Sequence, residues 1–292
     1  MHAHDPCLSS FGLSLVFYGD STFLSTAPDS PAAFGPALSV LLMSRYDFSA
    51  PRLFLDAPLQ VGARVQLEKQ QSHYLCNVLR LAAGDAVLVF NGNDGEWRAV
   101  LTACGRKAIE LNIEQQTRPP EPPNDLHYLF APLKHARLDY MAQKAVEMGA
   151  GRLQPVLTRR TQTERLNLDR LQANAIEAAE QCGILALPTI GEPVRLDAYL
   201  ERRADGRILV FCDEDAPPVS PLPLLREALR PKGVPCLPTD VLIGPEGGFA
   251  PEEREKLLGT PNHVRISLGP RILRADTAAV AVLALVEAIR SE

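Results

Sequence analysis

The stretch Asp240-Val-Leu-Ile-Gly-Pro-Glu-Gly-Gly-Phe-Ala-Pro-Glu-Glu-Arg254 decides how the C-terminal half of this 292-residue chain folds. Val241 to Ile243 is a short apolar run with the β-branching of a buried strand, and it ends directly on a glycine turn. Pro251 then stands where a first helical turn tolerates a missing N–H, and Glu252 and Glu253 suit the positive end of a helix dipole. The loop Gly244 to Gly248 therefore sits at the C-terminal end of a strand, the edge at which open α/β sheets bind ligands. Taken alone, it fits a ligandless strand-to-helix turn equally well. It lacks the Lys-Ser/Thr ending of a phosphate-binding loop and the spacing of a dinucleotide fingerprint. A second element, Ile266-Ser-Leu-Gly-Pro-Arg-Ile-Leu-Arg274, repeats the pattern of strand then glycine turn. The helix expected after it, over about residues 276 to 290, is apolar all round, which implies burial.

Working outward, strands and helices alternate from residue 126 onward. Strands are expected at Leu126 to Phe130, Leu153 to Leu157, Arg207 to Phe211 and Val264 to Leu268, with helices near 137 to 148 and 168 to 182. Such alternation predicts an α/β fold built on a largely parallel sheet covered on both faces. Residues 51 to 118 have a different period. Five short β-type runs, Arg52 to Leu55, Ala63 to Leu67, Ala86 to Phe90, Glu96 to Leu101 and Ala108 to Ile113, surround one helical segment, His73 to Arg80. Asn91-Gly-Asn-Asp-Gly95 is a hairpin signal, because these residues tolerate the positive φ of tight turns. This segment is a small β-barrel candidate, with Trp97 expected in its core. Four prolines between residues 119 and 125 predict an extended connector between the two domains, 51–118 and 126–292.

Residues 1 to 50 are expected to be a disordered or misassigned leader, with a native start near Met43. Ser, Pro, Ala and Gly dominate residues 21 to 40, and Asp5 replaces the positive flank of a signal peptide. With 46% hydrophobic and 22% charged residues, the chain can bury a sizeable core. A net charge of -5 argues against coating nucleic acid through a global field, so any contact with RNA must be a local patch. The six cysteines show no C-x-x-C pair and are expected to be reduced, in a cytoplasmic protein. No run of about 18 apolar residues predicts a membrane span. His73, His127, His135 and His263 lack metal-ligand spacing, so no metal is expected.

Five pieces, taken together and in order, resemble the RsmE family of SPOUT-class methyltransferases, which methylate N3 of a uracil in 16S ribosomal RNA. They are Arg52-Leu-Phe-Leu55 with Val78-Leu-Arg-Leu81, Gln143-Lys-Ala-Val-Glu-Met-Gly149, Glu180-Gln-Cys-Gly183, Leu242-Ile-Gly-Pro-Glu-Gly-Gly248 and Leu268-Gly-Pro-Arg-Ile-Leu-Arg-Ala-Asp-Thr-Ala278. The resemblance implies a PUA-like N-terminal barrel and a C-terminal SPOUT domain whose chain threads a deep trefoil knot, against the general avoidance of knots. It also implies a homodimer, and S-adenosyl-L-methionine bent among three loops. By position, these supply Phe211 and Cys212; Ile243, Gly244, Pro245, Glu246, Gly247 and Gly248; and Ser267, Leu268, Gly269, Ile272, Leu273, Arg274 and Thr277. The apolar Ala278 to Ile289 helix suits either core or dimer interface. This chain departs from the family's pattern at Asp276, commonly Glu, and at Ile184, commonly Arg.

N3 of a neutral uracil becomes nucleophilic only when its proton leaves and charge spreads onto the ring oxygens, so the site needs a base and a cation. Asp276 or Glu246 is the expected proton acceptor, and Arg274 the expected group to orient the base or hold its oxygen. Asp276 equally suits an N-cap of the last helix, and Arg274 equally suits an ion pair with Asp276 or Glu287. RNA phosphates need cations, and Lys134 to Arg170 carries eight basic against four acidic residues. Arg159 and Arg160 are the leading candidates, with Lys144, Arg52 and Arg80 from the matching pieces. A SPOUT enzyme acting on another RNA such as tRNA, or a PUA-like binder without catalysis, are the competing readings.

Overall fold

The computed structural model describes residues 50–102, 109–162 and 165–292. The expected leader thus lies outside the described residues, apart from Ala50, as do Glu164 and the start of the run expected at Ala108. Two sheets are present among the described residues. The first contains β1 (Arg52–Phe54), β2 (Arg64–Gln66), β3 (Ala86–Phe90), β4 (Glu96–Leu101) and β5 (Glu110–Arg118), in spatial order β1-β3-β4-β5-β2. Only the β1–β3 pair is parallel. Alternate residues Val87, Val89, Ala99, Leu101, Leu111 and Ile113 bury one face of this sheet. Trp97 packs against that cluster half-buried, with its indole N–H donating to the Asp94 carbonyl at 2.8 Å. The helical segment expected at His73 to Arg80 lies earlier, as α1 (Lys69–His73) followed by a π turn, Tyr74–Val78.

The second sheet is parallel, in the order β12-β10-β11-β6-β7-β8. Its elements are β6 (Leu126–Phe130), α2 (His135–Glu147), β7 (Arg152–Leu157), α3 (Leu168–Cys182), β8 (Thr189–Ile190), β9 (Val194–Arg195), α4 (Leu196–Arg202), β10 (Ile208–Cys212), α5 (Pro221–Leu229), β11 (Thr239–Ile243), α6 (Pro251–Gly259), β12 (His263–Ile266) and α7 (Ala275–Arg290). The strand β9 pairs with the C-terminal end of β7. One sheet face buries Tyr128, Val210, Val241 and Ile243 against α2, α3, α5 and α7. The other buries Leu129, Val156, Phe211 and Leu242 against Leu196 of α4 and Leu257 of α6. In α7, Val282, Leu283, Val286 and Ile289 belong to the chain's own core. Among the described residues, no helix is long and apolar enough to cross a membrane.

The first sheet is tied to α3 by two polar contacts. The Phe54 N–H donates to the Glu180 carboxylate at 2.8 Å, and Arg118 donates to the Gly183 carbonyl at 2.7 Å, where Gly183 caps α3 in the left-handed region. Behind them, Glu96 accepts from Arg52 at 2.9 Å, Arg118 at 3.2 Å and the Thr117 hydroxyl at 2.9 Å. Arg52 is therefore only 8% exposed and ion-paired, which removes it from the phosphate-facing residues expected from sequence. Burying a guanidinium requires such a partner. Cys182, Cys212 and Cys236 are free, but Cys76 is disulfide-bonded, a departure from six reduced thiols. Sequence spacing is silent about which distant thiols the fold brings within bonding reach.

At the N-terminal strand ends, Asp240 is fully buried and accepts from Arg207 Nε at 2.7 Å and the Tyr199 hydroxyl at 3.0 Å, with His127 Nδ1 at 3.2 Å. Burial alone would raise its pKa, but the His127 hydrogen bond and the Arg207 charge outweigh burial and hold it below the usual 3.8. A depressed carboxylate pKa adds stability that is complete above pH 3.8 and is lost as pH falls through the folded value. Asp240→Asn should therefore cost about 3 kcal/mol near neutrality, since it leaves Arg207 short of its buried partner. Urea midpoints should converge between wild type and variant below pH 3.8, and a constant difference down to pH 2 would contradict this role.

Candidate active site

Three loops converge at the C-terminal ends of β10, β11 and β12, and the cleft between them encloses about 380 Å3. It is lined by Cys212, Asp213 and Glu214 after β10, by Ile243 to Phe249 after β11, and by Ser267 to Leu273 after β12. Ala275 and Ala278 of α7 complete the lining. The volume lies within the range of small-molecule sites. Small side chains at Ala275 and Ala278, one helical turn apart, keep that surface open, while Ile243, Leu268 and Leu273 supply apolar wall. The close approach of the chain at Gly244 is enforced by Phe249, whose ring would lie 2.9 Å from a Cβ there. Gly248 has φ +70°, and a Cβ would collide with the Glu214 carboxylate.

The loops are anchored by buried charge. Asp213 is buried and accepts from Arg265 of β12 and Arg254 of α6, each at 2.8 Å. Glu253 is buried at the start of α6 and accepts from the Ala250 N–H at 3.0 Å and the Arg159 N–H at 2.8 Å, which ties the β7 loop to the β11 loop. Arg160 extends this link, donating to the Gly247 carbonyl at 2.6 Å. At the cleft wall, burial and the neighbouring Asp213 push the Cys212 thiol up to about 12, so it stays protonated and acts as a small apolar group. Glu214 and Glu246 bring carboxylates to the cleft, and Arg137 stands 3.9 Å from Glu246.

Of the expected cofactor residues, Cys212, Ile243 to Gly248, Ser267 to Gly269, Ile272 and Leu273 line the cleft, whereas Phe211, Arg274 and Thr277 do not. Phe211 is fully buried beneath it, with its ring edge-on to Phe249 at 6.4 Å. Arg274 is exposed between the lining residues Leu273 and Ala275, and among the described residues it has no ion pair with Asp276 or Glu287. Asp276 is not the N-cap of α7. Arg274 holds that position, and Asp276 accepts the N–H of Thr277 at 2.9 Å. Pro270 and Arg271 lie within the Ser267 to Arg274 loop expected from sequence, whereas Asp213, Glu214, Phe249, Ala275 and Ala278 were not singled out. The acidic run Asp213-Glu-Asp215 directly after a strand was the available signal.

The basic stretch does not form a single face. Lys144 pairs with Glu147 at 2.7 Å, Arg170 with Asp139 at 2.5 Å and Arg159 with Glu252 at 3.6 Å. Arg152 begins β7 while Arg159 and Arg160 follow its end, and at about 3.3 Å per residue the strand separates them by roughly 20 Å. Arg80 is exposed, with φ 59°.

A profile of the RNA methyltransferase domain matches residues 120–287, and one of the RNA methyltransferase PUA domain matches residues 67–114. The chain belongs to the RNA methyltransferase family RsmE. Its relatives include ribosomal RNA small subunit methyltransferase E of Synechocystis, 33% identical over 80% of this chain and 76% of that one. The protein of the same name from Rickettsia conorii is 29% identical over 82% of this chain and 96% of its own. Among solved structures, the methyltransferase E of Neisseria gonorrhoeae bound to S-adenosyl methionine superposes with a TM-score of 0.69 at 25% identity, covering 82% of this chain and 97% of that chain. A putative methyltransferase of Legionella pneumophila, in complex with the same cofactor, gives 0.67 at 26% identity over equal shares. The RsmE-family chain is thus an RNA methyltransferase with a PUA-like N-terminal domain.

Proposed function

We propose that the chain transfers the methyl group of S-adenosylmethionine to N3 of a uridine in 16S ribosomal RNA. The cleft at the ends of β10, β11 and β12 carries this reading: its backbone-rich wall, the alanines lining it and its flanking carboxylates fit a flat adenosine and a cationic sulfonium. When bound, that group supplies an electrophilic methyl. The protein's own residues prepare the acceptor. Glu246, which lines the cleft, accepts the N3 proton in preference to Asp276, which does not, and Arg274 holds a uracil oxygen as the imide charge develops. Domain limits at 51–118 and 126–292, the threaded knot and a cytoplasmic location belong to the same proposal. A homodimer does too, supported by Ile272, which stands 98% exposed on the β12 loop although apolar.

Arg160 acts through the cofactor loop in this reading, and Arg159 on RNA phosphate. Arg160→Ala is expected to weaken S-adenosylmethionine about fivefold, equivalent to roughly 1 kcal/mol for one lost hydrogen bond. Arg159→Ala should leave that affinity unchanged but flatten the salt dependence of RNA binding. Calorimetry and filter binding check the pair, and equal effects of both variants on the cofactor would contradict the division. The substrate assignment is tested by offering labelled cofactor with small ribosomal subunits, naked ribosomal RNA or transfer RNA. Label is expected in ribosomal RNA, and label in transfer RNA alone would overturn it.

A further inference from the structure

A second cleft, of about 620 Å3, lies at the opposite edge of the parallel sheet, among the N-terminal ends of β6 and β7, the Gly191 to Val194 loop and α4. Arg152, Arg202, Arg203, Arg207 and His127 face it, and Glu192 stands at its lining. Arg207 is already matched, by Asp240 and Asp125. His127 lies between the same two carboxylates. The other three guanidiniums have no carboxylate partner among the described residues, in a chain whose net charge is -5.

Two of the three are held in place by neutral groups. Arg152 donates through Nε at 3.3 Å and Nη2 at 2.8 Å to the side-chain oxygen of Gln154. Gln154 is only 3% exposed, and its amide nitrogen donates to the Glu192 carbonyl at 2.7 Å and the Pro155 carbonyl at 3.1 Å, which turns its oxygen toward Arg152. Arg203 donates to the carbonyls of Arg207 and Pro261. A neutral acceptor fixes the direction of a guanidinium without discharging it, and guanidinium forks match the geometry of phosphate oxygens. Three like charges around one cleft repel each other until an anion joins them.

We propose that this cleft is an anion site for a phosphate group, held by Arg152, Arg202 and Arg203 and remote from the methyl-transfer cleft. The phosphate comes from the RNA backbone or from a free phosphate compound, and both offer the same oxyanion. The test uses the full chain with Arg202→Ala, an exposed side chain without a described partner, and Arg152→Gln. Inorganic phosphate, against chloride at equal ionic strength, should raise the melting temperature of the wild type, and each variant should lose at least half of that rise. RNA binding should lose roughly 0.7 to 0.9 from its log–log salt slope per arginine removed. Loss of the phosphate response alone identifies a free ligand, and a reduced slope alone identifies the backbone; either supports the site. Unchanged phosphate response and unchanged salt slope in both variants, with wild-type affinity for S-adenosylmethionine, would overturn it. The RNA arm rests on the methyltransferase reading, whereas the phosphate arm does not, so failures of the two are separable.

Discussion

Gly248→Val is expected to reduce S-adenosylmethionine binding at least a hundredfold in a chain that stays folded. A β-branched residue at φ +70° is forced into a conformation that costs of order 1–3 kcal/mol, and its Cβ meets the Glu214 carboxylate. The exposed Glu214 carboxylate can swing aside, so relief of the strained φ falls on the β11 loop, which lines the cleft. A hundredfold loss corresponds to about 2.7 kcal/mol, which strain and displaced loop contacts together supply. The fold should tolerate the change because the loop's flanks are held elsewhere: β11 lies between β10 and β6, and Glu253 fixes the start of α6. Calorimetric titration measures the affinity and circular dichroism the fold. Wild-type affinity in this variant would mean that the loop does not bound the cofactor site.

Arg274→Ala should do the opposite, retaining cofactor affinity within about twofold while lowering single-turnover methyl transfer by roughly a hundred- to a thousandfold, the scale of removing one donor from a developing oxyanion. The basis is placement. Arg274 stands exposed between two residues of the cleft lining, itself outside that lining, and no described carboxylate neutralises it. A structural ion pair was the other reading of the sequence, and no such pair forms with Asp276 or Glu287. Arg274→Lys should recover little, because an ammonium cannot present two parallel donors to a uracil edge. Normal turnover in Arg274→Ala would remove this residue from the chemistry.

Much of the site was legible because its parts are local. A strand running straight into Gly244-Pro-Glu-Gly-Gly248 places the loop at the sheet's C-terminal edge without knowledge of any distant contact, and the same holds for Ser267 to Arg274. What needed the structure depends on residues far apart in sequence. Arg52 looks like a surface cation until Glu96, 44 residues later, is found beside it. Arg152 and Arg160 look like one basic patch until β7 carries them to opposite edges. Thr117 and Arg118 belong to β5 although prolines follow at once, because the ladder with β4 continues to Glu96. The helix α5 was hidden by Pro221 and Pro223, whose positions in its first turn remove no intrahelical hydrogen bond. Ala275 and Ala278 went unnoticed as lining because an apolar helix face gives no sign of where core ends and cleft begins.

Nucleoside analysis tests directly whether this cleft delivers a methyl group to uracil N3. Small ribosomal subunits lacking the modification are incubated with the protein and labelled S-adenosylmethionine, and their 16S RNA is digested to nucleosides. The label should elute as 3-methyluridine, and Gly248→Val and Arg274→Ala should each deplete that peak. Label recovered in any other nucleoside, or a 3-methyluridine peak undiminished by both substitutions, would contradict the account.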